Sequence, residues 1–362
     1  MNSSGSQKIN RPYSALGILG PTASGKSALG IRLAKALNGE IVNVDSVQVY
    51  TDLSIGSAKV PESEREGVPH HCLDIFPPTA QANVAQFKEH ALQAIEEIST
   101  RGRLPILVGG SGMYLTVLLH GIAELPDVSP EIREKIQLLS SEEMYAKLQT
   151  LDPLTAQRLH PNDRQRVSRA LEVYETTQVA PSTLYESHQF KESPVHALLV
   201  VLCHPRDALY ERINLRSSLM VRAGLIDETK GVLERYGDTP LLDTIGYAQA
   251  KAHLAGELQE ERLVEEIALH TRRYAKRQMT YLRNEPVKRG WKVHPTEGDS
   301  AHLLDAEVVG EKKARRAREP QKSFKVLRFT EAELLAAVRE RLQRGIEGSE
   351  VWYVELLRDE AT

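Results

Sequence analysis

Residues Gly20-Pro21-Thr22-Ala23-Ser24-Gly25-Lys26-Ser27 read G-x-x-x-x-G-K-S, the pattern of a phosphate-binding loop. An apolar run, Ala15 to Leu19, precedes the loop and reads as a buried strand. After it, Leu29, Leu33, Ala36 and Leu37 recur at helical spacing. The motif therefore sits between a strand and a helix. Its glycines let the backbone wrap round an anion with successive N–H groups pointing inward. Lys26 adds a point charge, and the helix N-terminus adds a partial positive one. The Ser27 hydroxyl is placed to ligate Mg2+ on bound phosphates.

The rest of the first half alternates in the same way. Ile41 to Val44 reads as a short strand ending at Asp45, Val84 to Ile98 as a helix, and Leu104 to Val108 as a strand stopped by Gly109-Gly110-Ser111-Gly112. Such alternation predicts an α/β fold: a P-loop-type parallel sheet flanked by helices, with ligands at the C-terminal edge of the strands. From Gly121 the pattern becomes helical, with Pro126, Pro130 and Pro153 as punctuation, until an apolar strand returns at Val195 to Leu202. The expected organisation is a flexible tail over 1–13, a catalytic core over 14–120 and 195–294, and a helical insertion over 121–194. Residues 295–322 read as a polar linker, and 323–362 as a small C-terminal α+β appendage. In the appendage, Thr330 and Glu333 have capping-box spacing before an amphipathic helix.

A formal net charge of -3 excludes a globally basic nucleic-acid binder, so charge has to be read by segment. Two distant cysteines, Cys72 and Cys203, provide neither a disulfide framework nor a cysteine-rich zinc site. His70-His71 cannot share a helical face and read as turn residues. No run approaches the ~20 apolar residues of a membrane span. A cytoplasmic monomer with no membrane partner is expected.

Asp45 closes a strand beside the loop, where a carboxylate can accept a proton from a nucleophile or hold Mg2+ through water; a turn cap is the plainer reading. It is the sole acid found at a strand end, which favours a small transferase or kinase over an energy-coupling machine. Two segments are basic. One is His160 to Arg169. The other holds Arg272, Arg273, Lys276, Arg277, Arg283, Lys288, Arg289 and Lys292 against Glu285, with Tyr274, Tyr281 and Trp291 interleaved. Phosphate contacts with bases stacked on aromatics is a pattern of RNA binding, and a solvated helix face is its alternative. The further cluster Lys312 to Arg318 reads as linker or as extra RNA affinity.

These residues resemble the tRNA dimethylallyltransferases (isopentenyl transferases). The resemblance is carried by Gly20 to Ser27, Asp45-Ser46-Val47-Gln48-Val49-Tyr50, Ile55 to Lys59, Pro69 to Asp74 and Val108 to Tyr114. It continues through His160 to Arg164 with Arg169 to Glu172, Arg216…Met220…Gly224-Leu225…Glu228, Ile245-Gly246-Tyr247, and Lys276 to Arg283. It implies transfer of a dimethylallyl group from dimethylallyl diphosphate to the N6 amine of adenosine 37 in the tRNA anticodon stem-loop, with Mg2+. By the same resemblance Asp45 is the base, Lys26, Ser111 and Arg216 complete the catalytic set, and Gly20 to Ser27 hold the diphosphate. The implied tRNA contacts are Asp45, Ser46, Val47, Gln48, Ser111, Arg133, Gln165, Arg166, Val167, Ser168, Arg169, Gly246, Tyr247, Lys276, Arg277, Gln278 and Arg283. A small-molecule kinase and an adenylate isopentenyltransferase acting on free AMP are the alternatives.

Overall fold

The computed structural model describes residues 13–80, 82–121, 127–188, 194–288, 292–294, 326–344 and 349–357. The expected tail up to residue 12, the linker over 295–322 with Lys312 to Arg318, and Arg289 and Trp291 lie outside the described residues. Tyr13, assigned to the tail, opens the first strand instead.

One all-parallel sheet of eight strands organises the larger of two compact units, which comprises the chain up to Leu119 and from Pro194 onward. The strands are β1 Tyr13–Leu19, β2 Gly39–Val44, β3 His70–His71, β4 Leu104–Gly109, β5 Val195–Leu202, β6 Lys292–His294, β7 Leu327–Phe329 and β8 Glu350–Leu356. Their order is β3-β2-β4-β1-β5-β8, with β6 and β7 pairing successive stretches of β8. β1 is central: Leu16 lies opposite Ile106 on one side and Leu198 on the other.

Side chains alternate across a strand, so the continuous apolar runs must be covered on both faces. On one face Leu19, Leu199 and Val201 pack with Phe87, Ile95 and Ile98 of helix Val84–Thr100. On the other, Leu16, Ile18 and Val200 pack with Leu29 and Leu33 of helix Lys26–Leu37. Each such fully buried side chain stabilises the fold by roughly 1.5–3 kcal/mol.

The C-terminal segment is α+β, as the sequence suggests, but it does not stand apart from the core. β8 pairs with β5, Val200 opposite Trp352, and Leu334 and Val338 of helix Glu331–Gln343 join the apolar layer over helix Lys26–Leu37. Without β8, the buried strand β5 would be left as a bare edge with unpaired backbone groups. Arg341 forms a two-pronged ion pair with Glu350, which is buried at the start of β8.

Helix Glu260–Lys288 runs past Asn284, where the sequence reading stopped it, and contains Pro286. A proline there has no N–H for the carbonyl four residues back, Leu282. The Tyr353 hydroxyl of β8 donates to that carbonyl at 2.8 Å. The C-terminal strand thus satisfies the group that the proline leaves open.

The second unit, His120–Ser193, contains only helices among its described residues. Pro130, Pro153 and Pro181 are each the first residue of a helix, where a missing N–H costs nothing. Ser140 and Glu143 form a capping box on helix Ser141–Leu151. Asp152, 1% exposed, caps Pro153–Arg158 and accepts from Thr155 N–H, the Thr155 hydroxyl and Ser182 N–H at 3.0, 2.6 and 2.8 Å. Ile136, Met144, Leu148, Val167 and Leu171 form its core.

Candidate active site

Parallel strands deliver their C-terminal ends to one edge. The phosphate loop follows β1 there, Asp45 follows β2, and Gly110-Ser111 follows β4. With helices Arg206–Arg222 and Glu260–Lys288 these surround a cavity of about 350 Å³. Among the expected residues, Thr22, Lys26, Ser27, Asp45, Ser46, Val47, Gln48, Arg216, Gly246, Arg277 and Gln278 line it. Ile213, Met220, Ile245 and Ile267 add an apolar wall.

The loop is held from outside as well as by its own turns. Gly25 has φ +86°, a left-handed conformation suited to glycine. At Gly20 a side chain would fall 2.7 Å from the Ser24 hydroxyl. The Gln278 side chain accepts from Thr22 N–H at 2.9 Å and donates to Gly110 carbonyl at 3.0 Å, tying the loop to the end of β4. His204 Nε2 lies 2.8 Å from the Ser24 carbonyl, and Arg212 Nε donates to the Ala23 carbonyl at 2.7 Å. Sequence reasoning missed both braces. Arg212 sits four residues before Arg216 on one helix face, and His204 follows the end of β5, so spacing and strand-end position were the available signals.

The electrostatics favour an anion. Lys26 Nζ donates to the Pro21 carbonyl at 3.3 Å, and Arg216 Nη1 to the Thr22 hydroxyl at 2.8 Å. Burial and the nearby Arg216 guanidinium bring the Lys26 ammonium down to about 8, against the opposing pull of Asp45. Burial likewise lowers Arg216, with Asp45 opposing. Two desolvated cations beside one carboxylate leave a positive excess that a polyanion relieves.

Asp45 is a turn cap, one of the readings made for it, and it also lines the cavity. Its Oδ1 accepts from Val47 N–H at 2.9 Å and Gln48 N–H at 3.2 Å, a turn cap that fixes the carboxylate plane. Among the described residues no protein group donates to Oδ2. Ser111, 8% exposed, accepts from Ser46 N–H at 3.2 Å, so its hydroxyl braces the residue after Asp45 instead of lining the cavity. Burial, and then the Asp45 charge, push the Tyr274 phenol up, against the opposing effect of the Ser111 and Gln278 side chains.

Several expected contacts fall elsewhere. Val167 and Tyr247 are core residues, 1% and 0% exposed, which removes their side chains from any RNA surface. Arg133, Gln165, Arg166 and Arg169 are exposed on the helical unit, with Arg166 3.4 Å from Asp163 and Arg169 3.4 Å from Glu172. Ser168 bonds to Glu172. Lys276 and Arg283 are exposed on helix Glu260–Lys288. Arg272 is taken by Asn214 and Glu265. Tyr281 packs its ring on Gly112 and bonds to the Gly112 carbonyl and to Thr116, so it braces helix Gly112–His120.

No group of three or more His, Cys, Asp or Glu suited to a metal occurs among the described residues. Asp243 lines the cavity but is paired with Lys251; the cavity offers the Ser27 hydroxyl and the Asp45 carboxylate. That set fits Mg2+, which keeps waters and takes one or two protein groups plus phosphate oxygens. No helix among the described residues is long and apolar enough to cross a membrane.

The chain is 44% identical over 295 residues to tRNA dimethylallyltransferase 1 of Trichlorobacter lovleyi, covering 80% of this chain and 96% of that one. Its fold matches the crystal structure of the tRNA isopentenylpyrophosphate transferase of Bacillus halodurans with a TM-score of 0.55, at 37% identity, over 76% of this chain and 88% of that one. A eukaryotic dimethylallyltransferase caught acting on tRNA matches with a TM-score of 0.68 at 30% identity, over 76% and 71% of the two chains. The sequence model of the IPP transferases matches residues 48–285, two-thirds of the length. With its phosphate loop, strand-end aspartate and cationic cavity, the chain belongs to the IPP transferase family.

Proposed function

We propose that the protein transfers a dimethylallyl group from dimethylallyl diphosphate to the N6 amine of adenosine 37 in the anticodon stem-loop of tRNA. The observation that carries this reading, beside family membership, is a single cavity lined both by two desolvated cations, Lys26 and Arg216, and by a carboxylate with one free oxygen, Asp45. A diphosphate leaving group needs the first, and a weakly nucleophilic aryl amine needs the second.

In the reaction the N6 nitrogen bonds to C1 of the prenyl group while the C1–O bond to diphosphate breaks. Asp45 takes the proton that the amine loses. The loop backbone, Lys26 and Arg216 bind the charge that develops on the departing diphosphate. Ser27, with Asp45 through water, would hold Mg2+, which supplies further charge neutralisation on the phosphates. The apolar wall of Ile213, Met220 and Ile267 suits the dimethylallyl chain and excludes water from the reacting carbon. An adenine inside an RNA loop hides its amine by stacking, so it has to be swung out to reach a cavity of this kind. Lys276, Arg277 and Arg283, with Arg133, Gln165, Arg166 and Arg169 of the helical unit, are the proposed phosphate contacts.

Incubation with labelled dimethylallyl diphosphate, Mg2+ and either unmodified tRNA, AMP or no acceptor tests the reading. Label in tRNA is the expected result. Label in AMP alone would make the protein an adenylate isopentenyltransferase, and no transfer to any acceptor would overturn the reading. Asp45→Ala is expected to slow transfer by about 10²–10⁴-fold while tRNA binding persists; near-normal turnover would remove Asp45 from the role of base.

A further inference from the structure

Three stretches carry family resemblance without a role in the chemistry above: Ile55 to Lys59, Gly224-Leu225…Glu228, and Ile245-Gly246-Tyr247. The fold brings all three together at one carboxylate. Glu228 Oε2 accepts from Ser54 and Ile55 N–H at 3.0 and 2.9 Å. Its Oε1 accepts from Ile55 and Gly56 N–H at 3.0 and 3.1 Å, and from the Tyr247 hydroxyl at 2.6 Å. A single side chain thus gathers three consecutive backbone N–H groups and a buried phenol. Tyr247 is fully buried, and its ring lies so close to Gly56 that a Cβ there would be 2.4 Å from it. The turn is therefore pinned by a charge-assisted network on its amide edge and by an aromatic ring on its glycine.

The next residues of that turn reach the cavity. Gly56, Ser57 and Ala58 line it. The Gln48 side chain, also on the cavity, donates to the Ser57 and Ala58 carbonyls at 2.9 and 3.3 Å. Gln48 N–H in turn donates to Asp45 Oδ1. A continuous hydrogen-bonded path runs from Glu228 through the 54–58 turn and Gln48 to the proposed base.

We infer that Glu228, supported by Tyr247, is a positioning residue for the transfer reaction, and that it acts through the 54–58 turn and Gln48 on the orientation of Asp45 and the acceptor side of the cavity. The inference rests on the functional reading above. Glu228 touches neither the phosphate loop nor Lys26, so its effect belongs to the acceptor and the base and not to the diphosphate. A neutral amide cannot replace it: Glu228→Gln would turn N–H donors toward the N–H groups of Ser54 and Ile55.

The test measures kcat and KM for tRNA, equilibrium affinity for dimethylallyl diphosphate, and thermal unfolding. It compares wild type, E228Q, Y247F, Q48A and the double variant E228Q/Q48A. Expected are a fall in kcat of about 10- to 100-fold for E228Q and a smaller fall for Y247F, which keeps the ring on Gly56. Diphosphate affinity stays at the wild-type value. E228Q/Q48A is no slower than Q48A alone, because both act along one path. Wild-type kcat in a folded E228Q overturns the inference. So does a parallel loss of diphosphate affinity, or effects that multiply in the double variant, since either marks a general structural role. If E228Q does not fold, Y247F and Y247F/Q48A decide by the same criteria. Absence of transfer by the wild-type chain overturns the functional reading and this inference with it, whereas wild-type transfer with unaffected variants overturns the inference alone.

Discussion

Replacing Tyr353 by phenylalanine removes the hydroxyl that donates to the Leu282 carbonyl. The ring volume is kept, so no cavity opens in a core where Tyr353 is 1% exposed. What is lost is the donor to Leu282 carbonyl, a group 4% exposed at the residue level for which Pro286 offers no N–H. Leaving a buried acceptor unsatisfied costs ~1–3 kcal/mol. The same carbonyl can be satisfied another way. Pro286→Ala restores an N–H four residues on, and in that background the Tyr353→Phe cost should fall by ~1 kcal/mol or more. Denaturant unfolding of the wild type, both single variants and the double variant gives the coupling directly. The cycle cancels any other contact of the Tyr353 hydroxyl, because such a contact is lost equally in both backgrounds. Additive effects would refute the argument that this strand substitutes for the missing helical bond.

Other outcomes are expected from the same structure. Lys26, brought down to about 8 in the free protein, must be raised again by a bound diphosphate. Binding therefore takes up a proton above pH 8, and affinity falls as pH rises through and beyond that value; calorimetry in buffers of different ionisation enthalpy reads the proton, and Lys26→Met should abolish the dependence. Burial pushes the Asp152 carboxyl up, but the bonds from Thr155 and Ser182 outweigh it and hold the group below its usual value. Its stabilisation is thus complete above about pH 4 and lost as pH falls through the lower, folded value, so the helical unit should lose its acid sensitivity, together with ~1–3 kcal/mol of stability, in Asp152→Ala, as followed by circular dichroism. Truncation after His294 removes β7, β8 and helix Glu331–Gln343 from the sheet; it should expose β5 and give an aggregating chain by light scattering, where a dispensable appendage would leave a monodisperse core.

Local pattern determined the α/β class, because a phosphate loop between a strand and a helix is a property of contiguous residues and strand–helix alternation leaves few topologies. It also determined which residues meet at the cavity from β1 and β2, since parallel strands send Gly20 to Ser27 and Asp45 to the same edge whatever the lateral order. Capping at Thr330 and Glu333 and the helices opened by prolines were legible for the same reason: each signal lies within four residues of what it controls. Other features depended on residues far apart in the chain. Nothing near Pro286 announces that a helix can continue through it, because the hydroxyl that satisfies Leu282 comes from residue 353. The C-terminal residues read as a separate unit because the polar stretch before them breaks the pattern, while their place beside β5 follows from a bare strand edge that only the assembled sheet possesses. Val167 and Tyr247 looked like surface contacts by motif and became core by packing. The four N–H and O–H groups gathered by Glu228 come from Ser54 to Gly56, 172–174 residues before it, and from Tyr247, 19 residues after it, and backbone amides carry no sequence signature. A sequence states which side chains and periodicities are available; which buried polar group finds which distant partner is settled only when the whole fold closes on itself, since each must be satisfied somewhere.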